Sequence, residues 1–161
     1  MGKPPDDWEI WALLWDKERY LIADRLFDPH QDDKESRPIC DEHAKLVDCP
    51  IYLIEPRNYG QSYPMKAVIE EVGDYFSSTC AYMLGLAILE RVDQIGLWGF
   101  DMSMGEEYFY QRANTEYLIG FARGRGSMVT IAPGSALLTV DRGAPGCRYG
   151  RYGWQSPIME S

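Results

Sequence analysis

Histidine is scarce in this chain of 161 residues, and the two present do not stand at zinc-ligand spacing from the cysteines. The four cysteines, at 40, 49, 80 and 147, form no C-x-x-C pair. A structural metal and a dithiol centre are therefore not expected, and the thiols read as reduced, with Cys80 a small core residue. Basic residues are also few. Lys and Arg number 16 against 25 Asp and Glu, for a net charge of -9. That balance argues against duplex nucleic acid as the main partner, because phosphate binding there needs a basic face. No apolar run approaches the roughly 20 residues of a membrane helix. The start, "MGKPPDDWEI", is polar and proline-bearing, unlike a secretory leader. The expectation is a soluble, cytoplasmic protein with no membrane contact. No G-x-G-x-x-G, no P-loop and no G-x-S-x-G occurs, so the common dinucleotide, triphosphate and serine-hydrolase fingerprints are missing.

Apolar residues are plentiful. At 45% hydrophobic and 25% charged, the chain can bury a core, and its length suits one domain. Short apolar runs alternate with helical patterns. "WEIWALL" (Trp8–Leu14) reads as a strand. Asp16–His30 fits two readings, helical over Arg19–Ala23 and extended over "DRLFDPH". Gln31–Pro38 reads as a polar loop and Cys40–Val47 as a short helix. "PIYLIEP" (Pro50–Pro56) is a strand bracketed by prolines, Asn58–Pro64 a loop, and Met65–Gly73 a helix with a glycine stop.

Next comes a helix capped by Ser77, Ser78 or Thr79 and running to Arg91. It is apolar nearly all round, so it should lie between other elements. "QIGLWGF" (Gln94–Phe100) lacks polar alternation and predicts a strand covered on both faces. Glu107–Gly124 is an amphipathic helix on which Tyr110, Ala113, Tyr117 and Phe121 share a face. Ser127–Pro133 is a last core strand. This order predicts an α/β fold: a single Rossmann-like domain over residues 1–140, with an open, mostly parallel sheet of about five strands and helices on both faces. Residues 141–161 form a Gly-, Arg- and Tyr-rich tail.

In such a sheet ligands bind beyond the carboxyl ends of the strands. Asp101 follows a strand at that edge. Ser77, Ser78 and Thr79 open a helix there, where unpaired N–H groups favour phosphate. Each of these residues has an ordinary structural reading as a cap or turn former, and it is their convergence at one edge that raises the functional reading. Tyr108 and Tyr110 suit base stacking. Gln111 lies on the same helix, and Arg112 is placed either to meet a phosphate or to pair with Glu116 one turn on. His30 is a candidate base at a strand end, and His43 is expected to be a solvated helix residue.

The stretch "FSSTCAYMLGLAILERVDQIGLWGFDM" resembles the core of small phage- and prophage-encoded α/β proteins. More remotely it is similar to bacterial sialyltransferases and motility-accessory-factor glycosyltransferases. The resemblance touches most of residues 8–138 and is specific over Phe76–Gly126. It implies that Ser77, Ser78, Asp101 and Tyr108 hold a cytidine nucleotide-sugar, and that the protein works in a host cell's cytoplasm. The chain departs from the pattern in three ways. Leu14 and Trp15 stand where an Asn is common after the first strand, no His follows residue 43, and little chain remains for an acceptor lid. The expected ligand is a nucleotide or nucleotide-sugar, and the cofactor is unassigned. Sugar transfer is the first activity considered. The alternatives are a non-catalytic protein that sequesters a nucleotide, or an assembly protein with a degenerate pocket, and a homo-oligomer is compatible with each.

Overall fold

The computed structural model describes residues 5, 7–16, 19–30, 35–55, 57–100, 102 and 106–139, with 106–109 described by backbone alone. The tail assigned to 141–161 lies outside them. The protein is mixed α/β. In order run β1 (Trp11–Leu13), a 3-10 helix (Arg19–Ile22), β2 (Arg25–Asp28), α1 (Arg37–His43), β3 (Ile51–Leu53), β4 (Gln61–Ser62), α2 (Met65–Val72), α3 (Thr79–Leu89), β5 (Gln94–Leu97), α4 (Glu106–Gly124) and β6 (Met128–Ile131).

All strand pairs are parallel, but they form two sheets instead of one: β1-β2-β3-β4 and β5-β6. The expected loop over Asn58–Pro64 contributes the short β4. The ambiguous Asp16–His30 stretch divides cleanly, helical at Arg19–Ile22 and extended at Arg25–Asp28.

Successive strand residues point to opposite faces, and β2 uses this on both sides. Leu26 enters one apolar cluster with Leu14, Tyr20, Cys40 and Leu53, under α1. Phe27 enters the other, with α2, α3 and α4. Asp28 returns to the face of Leu26 and is 1% exposed.

The α3 helix is buried on nearly every side, as its sequence predicts, packing on α2, α4 and β2. Ser78 is its N-cap, accepting the Ala81 N–H at 3.2 Å. The amphipathic reading of α4 needs correction. Tyr110, Ala113 and Tyr117 are exposed, and the core-facing stripe is Asn114, Thr115, Leu118, Ile119 and Ala122. Asn114 is buried because it serves the approach to α3. Its carbonyl accepts the Ser77 N–H at 3.1 Å, and its amide donates to the Tyr75 carbonyl. Strand β5 also differs from expectation. Ile95 and Leu97 are buried while Gln94 is exposed, so one face is covered rather than two. Among the described residues no helix is long and apolar enough to cross a membrane.

Candidate functional site

The buried carboxylate at the end of β2 organises a polar cluster. Asp28 Oδ1 accepts from His30 Nδ1 at 2.9 Å and from the His30 backbone N–H at 3.3 Å. Arg57, just beyond β3, brings Nη2 to 3.2 Å from Asp28 Oδ2, an ion pair without aligned hydrogen-bond geometry. The same nitrogen donates to the His30 carbonyl at 3.2 Å. Arg57 Nη1 donates to Tyr59 Oη at 2.6 Å, and Tyr59 donates to Asp41 Oδ1 of α1 at 2.8 Å. His30, Asp28, Arg57, Tyr59 and Asp41 thus form one chain of polar contacts at the carboxyl ends of β2 and β3.

Three groups in and beside the cluster are shifted from their ordinary values. Burial pushes the Asp28 carboxyl up, but the His30 hydrogen bonds and the Arg57 charge outweigh it and hold the group below the ordinary carboxylate value. Burial and the neighbouring Asp28 push the Cys40 thiol up to about 12, so it is no nucleophile at neutral pH. Burial and Asp41 likewise raise Tyr59 to about 12. With the Nδ1 proton directed at Asp28, a neutral His30 ring carries its lone pair on Nε2.

Helix α3 begins at this same edge. Tyr82, in its first turn, encloses a small apolar void together with Phe27, Pro29, Tyr52 and Tyr63. Tyr63 Oη donates to the Tyr82 carbonyl at 2.8 Å. The segments that follow β1 and β5 also approach each other. The Arg19 guanidinium lies over Gly99, 3.6 Å from where a Cβ would stand, and Gly99 takes φ +84°, a conformation other residues rarely adopt. Arg19 is tied to Asp16 at 2.9 Å and is 61% exposed.

The residues expected to bind ligand fare differently. Ser77 is exposed, but its Oγ is engaged with α4, 3.2 Å from Asn114 Oδ1 and 3.3 Å from the Tyr110 carbonyl. Ser78 caps α3 and Thr79 is its first residue. Arg112 Nε pairs with Glu116 at 2.8 Å, and its Nη2 donates to the Thr139 carbonyl at 2.6 Å. Gln111 is half-buried on α4. Asp101 and the side chain of Tyr108 lie outside the described residues.

His43 is only partly exposed and has partners within the fold. Its ring stacks on Tyr20 at 3.8 Å, and Nδ1 lies 2.7 Å from the Leu14 carbonyl, fixing α1 to the end of β1. Among the described residues no three carboxylate, imidazole or thiol groups gather as a metal site requires. Sequence reasoning missed Asp28, Arg57, Tyr59, Asp41 and Arg19. The readable signal was "FDPH", an acid that closes a strand two residues before a histidine.

Comparison with protein-family models, curated proteins and solved structures gives no match.

Proposed function

We propose that the protein binds a nucleotide or nucleotide-sugar at the carboxyl edge of its strands, and that His30, oriented by Asp28, is the general base of a sugar transfer. The observation that carries this is the pairing of His30 Nδ1 with a carboxylate only 1% exposed. A buried, ionised acid is costly to maintain, and orienting a base is a use that accounts for it. In the reaction an acceptor hydroxyl attacks the anomeric carbon as the sugar–phosphate bond breaks. Its proton passes to His30 Nε2, and the nucleotide departs with the bonding electrons.

We further infer a Rossmann-like arrangement over residues 1–140 in which the two sheets are halves of one doubly wound unit. The first sheet steps outward from β1 to β4; on this reading the chain then returns to set β5 beyond β1. The Arg19–Gly99 contact supports placing the crevice at this reversal. On this reading the N-terminus of α3 at Ser78 and Thr79, with Arg19, holds phosphate, and Asp101 with Tyr108 holds ribose or base.

One observation favours an assembly protein with a degenerate pocket: Ser77 and Arg112 are both engaged within the fold. The test is incubation with CMP- and UDP-sugars, following both turnover and melting temperature. Saturating ligand at 100 times Kd should stabilise the protein by about 2.7 kcal/mol. His30→Ala should keep that shift and lose turnover by about 10²–10⁴-fold. No shift with any nucleotide or nucleotide-sugar would overturn the reading, and a shift without turnover would reduce it to sequestration.

A further inference from the structure

A cleft of about 420 Å³ opens between the segment leading into β1 and strand β5, floored by α3. Its apolar lining includes Trp8, Trp11, Leu84, Ala87, Leu97 and Phe100. Four consecutive residues of β5, Gln94 to Leu97, also face it. Side chains alternate along a strand, so an unbroken run against one cavity means that the cavity meets the strand's edge.

The hydrogen bonds identify that edge. Met128 N–H donates to the Asp93 carbonyl at 2.7 Å, and Ala132 N–H to the Leu97 carbonyl at 2.9 Å. In a parallel ladder alternate residues bond to the same side, so Asp93, Ile95 and Leu97 are directed toward β6. Gln94 and Gly96 then present their N–H and C=O groups to the cleft. Strand β1 repeats the situation. Leu14 N–H donates to the Phe27 carbonyl at 3.0 Å, which leaves Trp11 turned away from β2. Among the described residues each sheet therefore ends on an unpaired edge, and Trp11 and β5 both border the cleft. Gly96 keeps the edge approachable on one face only. A Cβ there would collide with the Trp98 ring, with Trp8 close behind, so the two indoles close over the other face.

The charge is one-sided. Asp7, Glu9 and Asp93 line the cleft, and no Lys, Arg or His does among the described residues. Glu9 is neutralised by Arg25, whereas Asp7 and Asp93 have no ion pair among the described residues. An occupant must therefore offer main-chain hydrogen-bonding groups in extended form, apolar side chains, and positive charge.

We propose that this cleft docks an extended apolar-basic peptide of a partner protein, which adds a strand to the free edge of β5 beside β1. Main-chain bonds to Gln94 and Gly96 hold it, apolar side chains meet the Trp11 and Phe100 lining, and its Lys or Arg residues meet Asp7 and Asp93. The proposal does not depend on the nucleotide reading, which concerns the carboxyl ends of the strands.

The test is titration of the full chain with the peptide acetyl-Lys-Val-Phe-Val-Lys-amide, followed by tryptophan fluorescence. The same peptide flanked by Glu should bind at least about tenfold more weakly. Methylation of its three central amide nitrogens should weaken it by at least about tenfold, because the strand bonds are lost. The exposed double variant Asp7→Asn, Asp93→Asn should keep the fold, shown by an unchanged circular dichroism spectrum, and lose the preference for Lys over Glu. Equal affinity for the Lys- and Glu-flanked peptides, or undiminished binding of the methylated one, would overturn the proposal. So would no binding at millimolar peptide, or sedimentation showing that a second copy of the chain occupies the edge. Phenethylammonium binding as tightly as the peptide would also overturn it, making the cleft a small-molecule pocket.

Discussion

Strands β2 and β5 are each four residues long and parallel to their neighbours, yet the fold treats them in opposite ways. Strand β2 has a partner on each edge and a helical layer on each face. Strand β5 has one partner, β6, and one covered face. From sequence the roles look reversed, since "QIGLWGF" carries no charged side chain while "DRLFDPH" carries several charged or titratable ones. An apolar run reports that side chains avoid water. It does not report whether the backbone edges are paired, and centrality in a sheet depends on the edges. The charged ends of β2 are tolerated because each finds partners from distant elements: Arg25 meets Glu90 at 2.7 Å and Asp28 meets Arg57.

Truncation should make this contrast measurable. Phe27 is 2% exposed and packs between Trp11 and Tyr52 at ring-centroid distances of 5.3 and 5.0 Å. Phe27→Ala should destabilise by about 4 kcal/mol in urea unfolding, the middle of the range for core aromatics. Leu97→Ala, on the half-covered strand, should cost about 2–3 kcal/mol, because an edge beside a cleft relaxes more readily. Equal losses would mean that β5 is as central as β2.

Asp28 sharpens the comparison through pH. Its folded pKa lies below the ordinary carboxylate value. The stability it contributes is therefore present above the unfolded pKa and is lost as pH falls through the folded one. Asp28→Asn should cost about 2 kcal/mol at neutral pH by placing an amide against Arg57, and should flatten the loss of stability below about pH 4. Urea midpoints from pH 7 down to pH 2 would show this. An acid limb unchanged by the substitution would remove Asp28 from the linkage.

Local pattern made much of the fold legible. The α3 helix could be read as buried from its unbroken apolar composition, and its start from the run of hydroxyls that includes Ser78. Strand β3 was bracketed by Pro50 and Pro56. The division into two sheets was not legible, because nothing in a run such as "QIGL" records which edge is paired. Nor was the core stripe of α4. Two of its large side chains, Tyr110 and Tyr117, are exposed, while polar Asn114 is buried to hold Ser77 and Tyr75. The polar cluster joins residues 28, 30, 41, 57 and 59, and only "FDPH" is contiguous. Pairings over such separations are set by sheet order, which the sequence does not state.

Ser78 offers a smaller effect. Ser78→Ala removes the cap on Ala81 and should cost about 1 kcal/mol, read from the melting temperature. Ser78→Asp should restore most of it, since a carboxylate also caps and suits the helix N-terminus. If the start of α3 also holds phosphate, the two variants separate: Asp restores stability but repels a nucleotide. A variant carrying Ser78→Asp that binds nucleotide like the parent would leave Ser78 as a cap alone.

Arg112 should give the smallest change in stability and the clearest discrimination on the α4 side of the site. Its bonds to Glu116 and the Thr139 carbonyl fasten the segment after β6, where Glu116 also accepts the Leu138 N–H at 2.7 Å. Both members of the ion pair are about a third exposed, so solvent screens the charge, and Arg112→Ala should cost only a few tenths of a kcal/mol. That loss concerns a helix surface and a neighbouring loop and should not reach the Asp28 cluster. If Arg112 serves only as this fastener, nucleotide affinity in Arg112→Ala stays that of the parent. If ligand draws the guanidinium away from Glu116, a charge-assisted bond is lost and affinity falls by about ten- to a hundredfold. The described contacts favour the fastener, so the expected result is unchanged affinity with a slightly lowered melting temperature. A tenfold fall in affinity at unchanged stability would instead return Arg112 to the ligand site.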